Sequence, residues 1–187
     1  IATFFGIACI ATNALAQDHP DHPDSVPATP LEKPTVVVKE EKLPPPTPLF
    51  IGDKAPTVTV DHWVKGDAWD GFDDGQVYVM EFWATWCGPC KRSIPHLTQL
   101  QEEYAEDGLT IVGISTDTDS SLVKKFVAQQ GMKMQYTIGV DNRRRTQRNW
   151  MDKAGLKGIP SAFIVDLNGI IQFIGNPLEE AFEDTLH

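Results

Sequence analysis

Seven consecutive residues, Val77-Tyr78-Val79-Met80-Glu81-Phe82-Trp83, carry a single charge among β-branched, aromatic and aliphatic side chains. So apolar a run predicts a central strand covered on both faces. Directly after it, Trp86-Cys87-Gly88-Pro89-Cys90 opens a pattern of another period. Ile94, Leu97, Leu100 and Tyr104 recur at spacings of three and four, which predicts an amphipathic helix from about Cys90 to Asp107. A buried strand that runs through a short loop into a helix commits the chain to layered α/β packing. It also sets Cys87 at a helix N-terminus, where free backbone N–H groups and the positive end of the dipole stabilise a thiolate.

The thiolate is the reactive form of cysteine, and a free thiol of pKa about 8.5 is only a few per cent ionised at neutral pH. A pKa near about 7 would make roughly half of it reactive. Cys87 is therefore the predicted attacking thiol, exposed at the loop tip. Cys90, one turn into the helix, is the predicted resolving thiol, more buried, which closes the disulfide and releases substrate. Pro89 restricts the loop between them and has no N–H to donate. Two other readings stand beside this one. A zinc site would need four ligands, and beyond this pair the chain offers one other cysteine, Cys9, and one nearby histidine, His96. A purely structural disulfide would close a loop too short to remove much chain entropy. The spacing fits a redox-active dithiol best.

Glu81 lies in the strand that feeds the loop, on the same face as Val77, Val79 and Trp83. A carboxylate inside a sheet is costly unless it has a partner or a task. Burial would raise its pKa and suit it to accept a proton, through water, from Cys90. A solvent-exposed strand-end carboxylate is the other reading of the same residue.

The segment from Glu81 to Lys91 resembles the active-site stretch of thioredoxins, with Glu where they carry a buried Asp. Pro95 matches the kinked active-site helix of that family. Gly158-Ile159-Pro160-Ser161 is similar to its cis-proline loop, which packs against the CxxC. Ile51-Gly52-Asp53-Lys54-Ala55-Pro56 resembles the opening of extracytoplasmic TlpA/ResA-like thioredoxins and of peroxiredoxins, the AhpC/TSA-redoxin branch. The likeness runs from about Leu49 to His187. It implies a thioredoxin-like three-layer α/β sandwich, with a mixed central sheet and a βα insertion before the cis-proline loop. It implies catalytic Cys87, Cys90 and Glu81, and substrate contacts from Trp86, Gly88, Pro89, Ile159, Pro160 and Gly175. In that reading the Ile159 backbone pairs with an extended substrate, and Gly175 lets that chain approach closely. No cofactor and no metal are implied; the Cys87–Cys90 disulfide carries the electrons. Ser93 stands where ResA-like proteins carry a Glu, and no residue matches the lysine that accompanies the thioredoxin Asp.

Between these motifs, strands are predicted at Val58–Val60, Thr110–Ser115 and Tyr136–Val140, and helices over Ser120–Gln130 and Arg143–Ala154. Leu122, Val123, Phe126 and Val127 form the apolar face of the first of these helices. Lys65 to Gly75 reads as a loop, and Trp63, Trp69 and Phe72, within or beside it, cover a sheet edge. Ser161–Val165 and Ile170–Ile174 form a hairpin about Asp166-Leu167-Asn168-Gly169. A last short helix begins near Leu178, where the sequence reads as clipped. Arg143, Arg144, Arg145 and Arg148 read as a solvated helix face, with docking of an acidic partner as the other reading.

Residues 1–16 are uncharged and end in Ala14-Leu15-Ala16, the pattern of a signal-peptide core and cleavage site whose basic start is missing. A membrane anchor, and a lipoprotein acylated at Cys9, are the other readings. Each places the domain outside the cytoplasm, periplasmic or secreted. Residues 17–48 hold nine of the fourteen prolines and read as a disordered linker, with Asp18 to Asp24 as a solvated His/Asp repeat.

The net charge of −10 disfavours a nucleic-acid partner. The partners implied are protein disulfides or dithiols and a membrane-bound electron donor, acting on a monomer. Gly-Pro between the cysteines resembles reducing thioredoxins. Two competing functions meet obstacles in the residues. A thiol peroxidase needs Thr three positions before its Cys, where this chain has Ala84. A copper-handling assembly protein of this fold needs three residues between its cysteines and a distal His, and residues 97–186 contain no His.

Overall fold

The structure is a computed structural model that describes residues 47–69 and 71–187. The predicted signal segment, Cys9 and all but the end of the proline-rich linker lie outside the described residues. One six-stranded sheet runs in the order β1-β4-β3-β2-β5-β6. Its strands are β1 (His62–Lys65), β2 (Val77–Trp83), β3 (Leu109–Ser115), β4 (Thr137–Val140), β5 (Ser161–Val165) and β6 (Ile171–Gly175). β2, β3 and β4 are parallel, and β1, β5 and β6 join antiparallel, so the sheet is mixed as predicted.

Alternation along β2 separates two cores. Val79 and Trp83 face α1 (Gly88–Tyr104), α2 (Ser120–Gln130) and α4 (Glu180–Leu186), through Ile94, Leu97, Val123 and Phe182. Tyr78, Met80 and Phe82 face the other way, against Leu49, Trp150, Met151, Phe163 and Ile171. Two successive parallel crossovers of one hand put α1 and α2 on the same face. The return from β4 to β5 passes over the opposite face and completes the third layer.

Several local readings change. Val58–Val60 forms no strand; the edge strand is His62–Lys65, paired with β4. Thr59 is instead tied by its backbone, on both N–H and C=O, to the Thr146 hydroxyl. Trp69 and Phe72 cover the middle of a sheet face and not its edge, packed against Tyr78 and Trp150. Leu122 is exposed, and the buried stripe of α2 is Val123 and Val127. The helix predicted over Arg143–Ala154 is α3 (Arg145–Gln147) followed by a π-helical turn over Arg148–Asp152. The widened turn accompanies burial of the large neighbours Trp150 and Met151. The arginines are not a uniform solvated face either: Arg143 and Arg145 both reach Asp61 Oδ1 at 3.0 Å.

Trp150 is fully buried and meets Phe72, Phe82 and Phe163 with ring centroids 5.1–6.5 Å apart. Trp150→Ala is expected to lower the unfolding free energy by about 3–5 kcal/mol, read from denaturant midpoints. A loss below about 1 kcal/mol would show that this layer does not carry the fold.

Candidate active site

β2 is bonded to β3 on one side and β5 on the other, and its end delivers the chain to the cysteines. Asp117, just beyond β3, holds the connecting loop. Its carboxylate accepts the Thr85 N–H at 2.8 Å, the Thr85 hydroxyl at 2.9 Å and the Ser115 hydroxyl at 2.8 Å. Sequence reasoning passed over Asp117. The only signal was a short polar residue just after a core strand, which is common in loops.

Cys87 caps α1, with its sulfur accepting the Cys90 N–H at 3.2 Å. The two cysteines form a disulfide with Cα atoms 5.3 Å apart. Cys87 is buried, 3% exposed, and not open at a loop tip as the sequence suggested. It is covered from the facing loop, where the Ile159 carbonyl oxygen lies 3.6 Å from Cys87 Sγ. A disulfide sulfur carries no proton, so this contact becomes a hydrogen bond only with the reduced thiol. Cys90 is fully buried, as expected. Gly88 and Pro89 are exposed, and Trp86 stands 70% exposed beside them.

The Ile159–Pro160 peptide bond is cis, as the likeness implied. Gly175 ends β6 opposite Ala162. A Cβ there would sit 2.7 Å from Phe173 Cζ, so a larger residue at this position would have to displace that ring. Ser93 is buried and donates to the Cys90 carbonyl at 2.9 Å, so this position of the helix carries a hydroxyl and no carboxyl.

Glu81 is fully buried, on the α1 face of the sheet. Burial pushes its pKa from the usual 4.5 up to about 8. Neither carboxyl oxygen has a hydrogen-bond partner among the described residues, and the same holds for Trp83 Nε1 and the Tyr136 hydroxyl. Tyr136 is held well above its ordinary value, by burial first and by the Glu81 charge second. The absence of Cβ at Gly113, the register partner of Glu81, makes room for this group. A Cβ there would lie 3.0 Å from Tyr136 Cε2 and 3.2 Å from Trp83 Nε1.

Known proteins align with this arrangement. The AhpC/TSA family model matches residues 51–174. The thiol-disulfide oxidoreductase ResA of Bacillus thuringiensis subsp. konkukian is 30% identical over 151 residues, which cover 79% of this chain and 80% of ResA. Protein FixW of Rhizobium leguminosarum is 26% identical over 135 residues, 68% of this chain and 61% of FixW. The chain spans 61–62% of the length of the first curated relatives it matches. A crystal structure of a DsbE-type thiol:disulfide interchange protein from Chlorobium tepidum superposes with a TM-score of 0.60 at 28% identity, covering 74% of this chain and 96% of that one. The matched span holds the capped disulfide, the cis-proline loop and the buried carboxyl together. This chain therefore belongs to the AhpC/TSA family, in the TlpA/ResA-like branch of the thioredoxin superfamily.

Proposed function

We propose that this protein is an extracytoplasmic thiol–disulfide oxidoreductase that reduces protein disulfides through Cys87 and Cys90. The observation that carries the reading is the disulfide seated at the N-terminus of α1, its Cys87 sulfur accepting a backbone N–H and facing the Ile159 carbonyl. In the reduced protein that N–H and the helix dipole favour the Cys87 thiolate. The Cys87 sulfur attacks the substrate disulfide; a mixed disulfide forms as the substrate bond breaks, and the departing substrate sulfur takes a proton. Cys90 then attacks Cys87 Sγ. The internal disulfide forms, the mixed disulfide breaks, and two electrons have passed to the substrate.

Glu81 handles the Cys90 proton in both directions, through water. Near neutral pH its carboxyl is mostly protonated. It donates when the disulfide opens and accepts when Cys90 must become nucleophilic. The Ile159 backbone, Trp86 and the exposed Gly88-Pro89 edge receive an extended segment of substrate. Return to the dithiol takes two electrons from a donor, which outside the cytoplasm is a membrane-bound reductant. Export rests on the apolar segment ending at Ala16 and on the kind of relative matched. Among the described residues no helix is long and apolar enough to cross a membrane.

With dithiothreitol as electron source, the protein is expected to accelerate insulin reduction, and Cys87→Ser to abolish the acceleration. Alkylation of the reduced protein at pH 7, read by mass spectrometry, is expected to label Cys87 well before Cys90. Equal labelling, or Cys90 first, would overturn the assignment of roles.

Glu81→Gln tests the proton step. The wild-type carboxyl ionises near 4.5 in the unfolded chain and near 8 in the folded one. Between these values the folded state holds the extra proton. Stability therefore falls as pH rises through this window, by at most about 1.4 kcal/mol per pH unit, and levels above it. Glu81→Gln is expected to remove that slope and to be the more stable protein at pH 8. It should also slow insulin reduction by about 10²-fold or less while dithiol formation persists. An unchanged rate profile between pH 5 and 9 would leave Cys90 exchanging its proton with solvent directly.

A further inference from the structure

A cleft of about 490 Å³ opens beside the disulfide. Trp86, the neighbour of Cys87, and Ile159, whose carbonyl faces the Cys87 sulfur, line one end of it. Both adjoin Cys87, which brings the opening within reach of a polypeptide joined to it. Arg144 and Lys157 are the charged residues of the lining. No carboxylate lines the cleft, although the chain as a whole carries 26 acidic against 16 basic residues.

Arg144 differs from its neighbours. Arg143 and Arg145 are engaged with Asp61, while neither Arg144 nor Lys157 pairs with a carboxylate among the described residues. Arg144 has a left-handed backbone, φ 56°, the single positive φ outside glycine among the described residues. Such a conformation is unfavourable for any residue with a Cβ, and it persists only where surrounding bonds hold it. Here the Arg144 N–H donates to the Asp141 carbonyl at 2.9 Å, and the Asp141 carboxylate takes the N–H groups of Arg145 at 2.8 Å and Gln147 at 2.9 Å. The guanidinium is steadied by one bond, Nε to Gln147 Oε1 at 2.9 Å, which leaves its Nη groups for an incoming acceptor. A planar guanidinium with free Nη donors is matched to a carboxylate.

We propose that this cleft is a specificity site: Arg144 and Lys157 select substrates that carry Asp or Glu within about three residues of the reactive cysteine, the reach of a short extended segment. The proposal rests on the oxidoreductase reading above. It names what that activity prefers and adds no separate chemistry.

The test uses three disulfide-linked peptide substrates that differ only in having Glu, Gln or Lys two and three residues from the cysteine. The reduced protein is expected to favour the Glu peptide over the Lys peptide in kcat/KM by about fivefold to tenfold, the scale of one or two exposed charge pairs. The effect should fall mainly on KM and shrink as salt rises from 0.05 to about 0.5 M. The double variant Arg144→Glu, Lys157→Glu is expected to invert the preference. Because each protein is scored by the ratio of its own two rates, partial misfolding cancels. Arg148→Glu, an equal charge change outside the cleft lining, is expected to keep the wild-type ratio. Equal rates on all three peptides, or an inverted ratio in Arg148→Glu as well, would overturn the specificity site and leave the oxidoreductase intact. No reduction of any peptide would remove both.

Discussion

β2 is held on four sides. It is hydrogen-bonded to β3 and β5 along its edges and packed by apolar side chains on both faces. A strand so enclosed has one permitted position, and the chain that leaves it inherits that precision. Asp117 carries it one step further by gripping both the N–H and the hydroxyl of Thr85. The N-terminus of α1 is therefore set by the sheet, and the Cys87 sulfur meets the Cys90 N–H without any help from exposed side chains. The Ile159 carbonyl is aimed by β5, which begins at Ser161 and pairs with β2. Both sides of the reactive bond thus hang from the same strand.

The same enclosure makes Glu81 chemically unusual. Its neighbours on that face are apolar or carry polar atoms without partners, so the charged form has nothing to stabilise it and the proton is retained to about pH 8. Above about pH 8, where the carboxylate is charged, removing that charge should relieve the sheet. Gly113 is the structural counterpart of this cost. It surrenders a side chain in a core strand, and the space goes to Trp83 and Tyr136 around the carboxyl.

On the far face the chain meets a different problem: closing a broad apolar surface after the crossover from β4 to β5. Trp150 and the aromatic pair Trp69 and Phe72 close it from separate segments. The π-helical turn over Arg148–Asp152 and the left-handed Arg144 lie in the same crossover.

The chain's own sequence determined the parts whose signals are local. The uniform apolarity of β2, the apolar spacing of α1, the Asn168-Gly169 turn and the placement of Cys87 and Cys90 all follow from residues close together in the chain, because period and turn chemistry act over short distances. The likeness to thioredoxins supplied the Ile159–Pro160 loop as a second half of the site. What only the tertiary structure decided depends on contacts far apart in sequence. Thr59 forms no strand because Thr146 takes its backbone groups. Cys87 is buried because Ile159 comes from 72 residues away to cover it. Asp117 became a clamp because β3 ends beside the Thr85 loop. The arginine run divided into two residues held by Asp61 and one turned into a cleft, since a charge pattern states where cations are and not which acid the fold will bring to meet them.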